Sequence, residues 1–290
     1  MTAPHASRRR PWVRIARLIT LAVAFGWVAY VLASWFLLWN PADAGAYYDA
    51  AVRLSEGQPL YPPIHPDAHE VYRYAPWFAY AWIPLTALSR EDALHLWSLA
   101  MLGCSLVAVW PLLRRGTPAT LALGALIGAF LAETAMFGNA HPAVVALLVV
   151  AVRTRWLAVA IGAAASIKLV PILLVAPWIR AARWKATAVA LGVAAVLSAP
   201  ILLFDLSEYE TDPGSGLLSF YAVSPWLWGV LAIASGMVAI WAVATKSRWA
   251  WAAIGFLMFL GPPRVALSYL GFLVPAVMLT WADEAAPEVG

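Results

Sequence analysis

Apolar runs of membrane-crossing length recur from residue 15 to residue 281 and leave the chain little room for anything else. An α-helix rises about 1.5 Å per residue, so roughly 20 apolar residues cover a hydrocarbon layer about 30 Å thick. The run from Ile15 to Trp39 satisfies this at once. Hydrophobic residues make up 63% of the 290 and charged ones 12%, too little charge to clothe a soluble surface. The expected class is therefore an all-α polytopic membrane protein. The formal charge of +4 sits in short clusters between apolar runs, which excludes a nucleic-acid-binding surface. A lone cysteine, Cys104, forbids a disulfide within the chain. The opening SRRRPWVR precedes a run too long for a cleaved signal and is read as a basic tail before a retained span.

The basic clusters give an orientation. Arg8, Arg9, Arg10, Arg14 and Arg17; Arg114 and Arg115; Arg153 and Arg155; Arg180, Arg183 and Lys185; and Lys246 and Arg248 all fall between apolar runs. Placing them in the cytoplasm obeys the positive-inside rule at every short loop. The chain then divides into a cytoplasmic tail (1–14), a first span (15–39), an extracytoplasmic loop (40–92), a helical bundle (93–282) and a second cytoplasmic tail (283–290). Ala75 to Ser89 contains Pro76 and Pro84 and is too short to cross comfortably, so it is expected as a juxtamembrane helix (75–89) on the outer face. Trp156 to Ile179 read as one span would invert every later loop. Two short helices meeting near Lys168 and Pro171 avoid that conflict, because broken helices are tolerated where they line a cavity. About ten crossing segments result, a count good to about two.

This orientation gathers Asp43, Asp49, Glu56, Arg53, Arg73, Asn139, His141, Lys168 and Arg264 on one face. Ionisable groups at a membrane edge are costly to keep and point to function. The stretch Asn40 to Pro63 is the centre of that group, and a carboxylate at this depth can take a proton from a hydroxyl. Asp43 is the first candidate and Asp49 the second; alternatively Asp43 caps a helix starting near Ala44. Asn139 and His141 either bond a ligand or satisfy a helix end. Glu133, inside a span, is expected in a structural hydrogen bond. His65, Asp67, His69 and Glu70 suggest metal ligands, but a loop is expected there and no H-E-x-x-H is present, so no metal is assigned. Trp35, Trp39, Trp156, Trp178 and Trp249 fit an interfacial belt.

The pattern D-x-x-x-Y-x-x-A at Asp43, Tyr47 and Ala50 is followed by G-x-x-L-Y at Gly57 to Tyr61 and Y-x-Y-x-P at Tyr72 to Pro76. With Pro84–Leu85, K-x-x-P at Lys168 to Pro171, and PPR-x(4)-Y at Pro262 to Tyr269, it resembles glycosyltransferase family 87. Gly138 and Asn139, beside His141, stand where that family carries G-Q-x-N. The resemblance implies a GT-C-like helical bundle whose long first extracytoplasmic loop carries the chemistry. It implies an inverting transfer of mannose, or another hexose, from a polyprenyl-phosphate donor to a lipid or glycan acceptor outside the plasma membrane. No cofactor and no metal are implied. Asp43 would be the general base, while Lys168 and Arg264 would hold the donor phosphate unless Lys168 snorkels to the interface. Tyr47, Asp49, Arg53, Tyr74, Asn139 and His141 would contact sugar or acceptor. A transporter or flippase of lipid-linked sugar is the alternative, and a scaffold subunit a third class.

Overall fold

The computed structural model describes residues 15, 18, 22, 25–26, 29–30, 33, 39, 41–62, 71–207, 209, 220–263 and 267–285. The expected first span lies largely outside them, as do Arg264 and the segment holding His65, Asp67, His69 and Glu70. Regular structure among the described residues is helical throughout. We number the helices α1 (Ala42–Ser55), α2 (Pro76–Trp82), α3 (Arg90–Arg115), α4 (Pro118–Met136), α5 (His141–Ala151) and α6 (Leu157–Ile167). There follow α7 (Ala176–Arg180), α8 (Trp184–Ser198), α9 (Phe220–Val223), α10 (Pro225–Ala244), α11 (Ala250–Leu260) and α12 (Leu273–Ala285). Short 3-10 turns extend α2 and α8 and precede α7 and α12.

Local chemistry sets these boundaries. Ser89 caps α3 by accepting from Asp92 N, acidic residues fill the first turn, Arg114 and Arg115 the last, and left-handed Gly116 ends it. Thr117 and Ser224 cap α4 and α10, each followed by proline at the first helical position. The chain is accordingly divided at Ser224–Pro225 into α9 and α10. The juxtamembrane helix expected over 75–89 is α2 with its 3-10 extension Ile83–Ala87.

Four helices are long and apolar enough to cross a membrane: Arg90–Arg115, Pro118–Met136, Trp184–Leu203 and Pro225–Ala244. Five apolar segments are shorter, and an 11-residue helix such as α5 covers only about 16 Å. The protein is thus a helical membrane protein in which four of the expected crossings have full length among the described residues.

Side-chain contacts sort the helix ends onto two sides. The Arg115 guanidinium lies 3.6 Å over the Trp281 ring, joining the C-terminal ends of α3 and α12. Trp251 Nε1 donates to Asp283, which adds the start of α11. Arg180 Nε donates to Ala244 O at 3.3 Å, which adds the ends of α7 and α10. The basic loops around residues 115, 180 and 246 therefore share one side, as the charge pattern requires. At the other side, Trp228 Nε1 donates to Gly261 O and Tyr209 Oη donates to Arg73 O. One belt residue is misplaced by sequence reasoning: Trp178 is 5% exposed and packs edge-on against Trp251 in the bundle core. Glu133 is partly buried on α4, and no hydrogen-bond partner for it is found among the described residues.

Two hydrophobic cores result. The larger fills the bundle between α3, α4, α5, α6, α11 and α12. The smaller lies under α1 and α2 and is built largely from aromatic rings, among them Tyr47, Tyr61, Tyr72, Phe78 and Trp82. The polar group described next lies where the two meet.

Candidate functional site

On α1, residues 43, 47 and 50 recur at i, i+4 and i+7 and so share one face. That face is turned inward. Tyr47 is fully buried, and the rings of Tyr74, Phe78, Trp82 and Trp97 meet it edge-on at centroid distances of 5.0–6.3 Å. Such edge-to-face pairs each add about 0.5–1.5 kcal/mol beyond burial. Tyr47 is the peg that fixes the rotation of α1, and Asp43 one turn earlier is aimed by it.

The helix begins at Ala42 behind Pro41, which makes no side-chain cap. Asp43 is thus inside the first turn and does not cap a helix starting near Ala44. Its backbone N–H donates to Phe137 O at 3.0 Å, and its Oδ2 accepts from Asn139 Nδ2 at 3.0 Å. Asn139 Oδ1 in turn accepts from His141 N at 2.9 Å. One asparagine therefore ties the carboxylate to the start of α5. The 137–139 turn can approach α1 this closely because residue 138 is glycine. Its φ is +70°, and a Cβ there would lie 2.4 Å from Ala44 Cβ. Trp97 Nε1 donates to Gly138 O at 2.7 Å and locks the turn from the other side.

A chain of hydroxyls continues from this point. Ala140 N–H donates to Tyr47 Oη at 3.3 Å, and Tyr47 Oη–H donates to Tyr74 Oη at 3.0 Å. The Tyr74 proton is then free to be given to a third group. Burial, with smaller contributions from Tyr74 and Asp43, raises the Tyr47 hydroxyl well above its ordinary 10.0. Burial likewise raises Tyr74, against an opposing pull from Lys168. Both remain neutral donors at physiological pH.

Lys168 sits at the elbow between α6 and the turn Val170–Val175, in extended backbone (φ −135°, ψ 115°). The helix break expected at Lys168 and Pro171 is present. The side chain turns inward: its Nζ lies 5.2 Å from the Tyr269 ring centroid and 6.0 Å from that of Tyr74. Asp43, Tyr74 and Tyr269 all act electrostatically on it. This is not the geometry of a snorkelling anchor. His141 is completely buried, donates through Nε2 to Ser268 O at 2.9 Å and stacks on Tyr269 at 4.9 Å.

The structure thus brings together Asp43, Tyr47, Tyr74, Asn139, His141 and Lys168. It does not bring Asp49 and Arg53 to them. Asp49 is about 120° further round α1 and is held by both Arg90 Nε and Nη2 at 3.1 Å. Arg53 donates to Leu60 O at 3.4 Å, and burial lowers its guanidinium from the ordinary value against the pull of Asp49. Arg264 lies outside the described residues. Tyr269 was not singled out from sequence as a site residue, although PPR-x(4)-Y ended on it. Chemically, the group offers a proton acceptor, a fixed cation and neutral hydroxyl donors within one cluster of side chains.

The family model described as Glycosyltransferase family 87 matches residues 72–211, a stretch that contains Tyr74, Asn139, His141 and Lys168. No curated protein and no solved structure matches the chain. The resemblance drawn from the motifs is therefore supported over that stretch. Asp43 and Tyr269 fall on either side of it.

Proposed function

We propose that this chain, a glycosyltransferase by its family 87 match, moves a hexose, most simply mannose, from a polyprenyl-phosphate donor to a lipid or glycan acceptor. Asp43 is the general base and Lys168 meets the donor phosphate. The observation that carries the reading is the pairing of these two charges without a direct ion pair between them. Asp43 accepts from Asn139 through Oδ2, and among the described residues nothing bonds its Oδ1. Lys168 is held by tyrosine rings within electrostatic reach of the carboxylate.

The step balances simply. The acceptor oxygen forms a bond to the anomeric carbon from the face opposite the phosphate, while Asp43 Oδ1 takes the hydroxyl proton. The bond from the anomeric carbon to the phosphate oxygen breaks, and its electron pair leaves on the phosphate. That leaving group is already a good one, so no general acid is called for. Lys168 offsets the charge that develops, and a preorganised cation in a dry site does this without reorganisation. Asn139 supplies a hydrogen bond to a sugar hydroxyl, and Tyr74 gives its proton toward the donor phosphate. The basic side, with Arg115, Arg180 and Lys246, faces the cytoplasm of a plasma membrane, and the reaction takes place on the outer face.

The test is transfer from labelled polyprenyl-phosphate-mannose to membrane lipids by the purified chain. Asp43→Asn keeps the shape and the contact with Asn139 and should abolish transfer while leaving donor binding intact. Undiminished transfer would remove Asp43 from this role. Binding of donor by the wild-type chain without any product would favour the transporter.

A further inference from the structure

We propose that Tyr269 is a second donor-phosphate residue, giving the phosphate a hydrogen bond through its hydroxyl beside Lys168, and that His141 is the positioning residue that sets it there. This rests on the donor reading above. An ammonium has three N–H groups and no acceptor, whereas a phenol oxygen both accepts and donates. The Tyr269 ring centroid is 5.2 Å from Lys168 Nζ, and the two side chains act on each other electrostatically. A phenol beside an ammonium keeps its own proton to give, and that proton is polarised by the neighbouring charge. Tyr74 is under the same constraint, since its oxygen already accepts from Tyr47. Two hydroxyls with protons to give therefore flank one cation. A phosphate, with several acceptor oxygens, satisfies that arrangement better than a neutral sugar.

The placement of Tyr269 is overdetermined. Its ring stacks on His141 with an interplanar angle of 9° and meets Phe272 edge-on at 5.4 Å. His141 is wholly buried and spends its Nε2–H on the carbonyl of Ser268, the residue before Tyr269. That bond makes Nδ1 the acceptor nitrogen, and Nδ1 is buried without a partner among the described residues. That remaining nitrogen is enclosed by the protein and out of a sugar's reach. What His141 does hold is the turn Leu267–Phe272 against the start of α5, one residue from Ala140 and two from Asn139. The same short stretch thus sets Asp43 through Asn139 and Tyr269 through His141.

Tyr269→Phe keeps the stacking and the cation–π contact and deletes only the hydroxyl. With the full chain in nanodiscs, polyprenyl phosphate should bind it about tenfold more weakly than wild type, the loss of one charge-assisted bond. Donor KM should rise with acceptor KM and melting midpoint unchanged. His141→Phe, which keeps a ring on Tyr269 but cannot bond Ser268, should raise donor KM with acceptor KM unchanged, at a midpoint lowered by the lost bond. The double variant Lys168→Met with Tyr269→Phe should lose less than the sum of the single losses. Affinity of Tyr269→Phe within twofold of wild type, with Lys168→Met impaired, overturns the role of Tyr269 alone. Equal affinity of wild type, Tyr269→Phe and Lys168→Met overturns the donor reading beneath it.

Discussion

Replacing Gly138 with alanine should disable the site through geometry alone. The substitution has two separable costs. At φ +70° a Cβ costs about 1 kcal/mol wherever it is placed. The new Cβ would also lie 2.4 Å from Ala44 Cβ, 3.0 Å from Ala44 N and 3.2 Å from Ala44 Cα. Carbon atoms rest about 3.5–4.0 Å apart, so the turn and α1 must separate by about 1 Å. The bonds Asp43 N to Phe137 O and Asn139 Nδ2 to Asp43 Oδ2, both 3.0 Å, cross that seam and would stretch past useful length. Overpacking costs about 1–3 kcal/mol and each lost bond about 1, for a total of roughly 3–5 kcal/mol. Gly116 is the control, with φ +66° and nothing within 4 Å of an added Cβ. Its alanine variant should lose only about 1 kcal/mol. Thermal midpoints in one detergent should therefore fall further for Gly138→Ala by roughly 5–10 °C. Transfer should drop about a hundredfold from a displacement of about 1 Å. If the two variants match in midpoint and in transfer, the seam does not set Asp43, and the reasoning fails.

Tyr47→Phe strands the buried Ala140 N–H and should cost about 1–3 kcal/mol, read as a lowered midpoint with the aromatic packing retained. Asp49→Asn breaks a half-exposed pair with Arg90 and should cost at most about 1 kcal/mol. Transfer by that variant should stay within about threefold of wild type, and a larger loss would move Asp49 into the reaction. Burial raises Tyr47, Tyr61, Tyr72 and Tyr74 above 10.0, so their stabilising effect is full below the unfolded value and lost as pH climbs through the folded ones. Phenolate absorbance should accordingly appear in two phases, the later one together with unfolding. In a chain with Cys104 replaced by serine, cysteine at exposed position 58 should react with an impermeant reagent added outside the cell, and cysteine at position 183 should not.

The grouping of the basic loops near residues 115, 180 and 246 at one end of the bundle was legible because charge placement carries that information directly. The contacts of Arg115 with Trp281 and Arg180 with Ala244 O follow the grouping of the basic loops. The elbow at Lys168 was legible for a similar reason: a full span there would have inverted every later loop. Side-chain partnerships were harder to read. Nothing in a linear pattern tells that Asn139 reaches back across the fold to Asp43, or that Asp49 pairs with Arg90 and turns away. Helical spacing could have separated Asp43 from Asp49, since only Asp43 shares a face with the buried Tyr47. His141 and Trp178 were read as a possible ligand contact and an interface residue, and both proved to be buried. Burial depends on which helices become neighbours, and apolar helices carry little pattern to say so when lipid is as apolar as the core.

The short helices explain how opposite charges can share this cluster without neutralising each other. Both α1 and α5 begin beside Asp43, with their unpaired N–H groups directed to that end, and helix N-termini favour negative charge. Helix α6 ends at Lys168, and a helix C-terminus favours positive charge. A full-length span through this region would have carried these ends to the lipid headgroups. Stopping α5 and α6 at 11 residues each brings one positive and two negative-seeking ends to the same depth. Each charge is then supported by its own helix end and needs no contact with the other. In the proposed reaction, the interval between carboxylate and ammonium takes a substrate with its hydroxyl toward one and its phosphate toward the other. Inserting a full turn of four alanines after Ile167 should separate the two charges while lengthening an otherwise sound helix. Transfer should be lost, and donor binding should fall with it. Retention of both would mean that the depth of Lys168 does not matter.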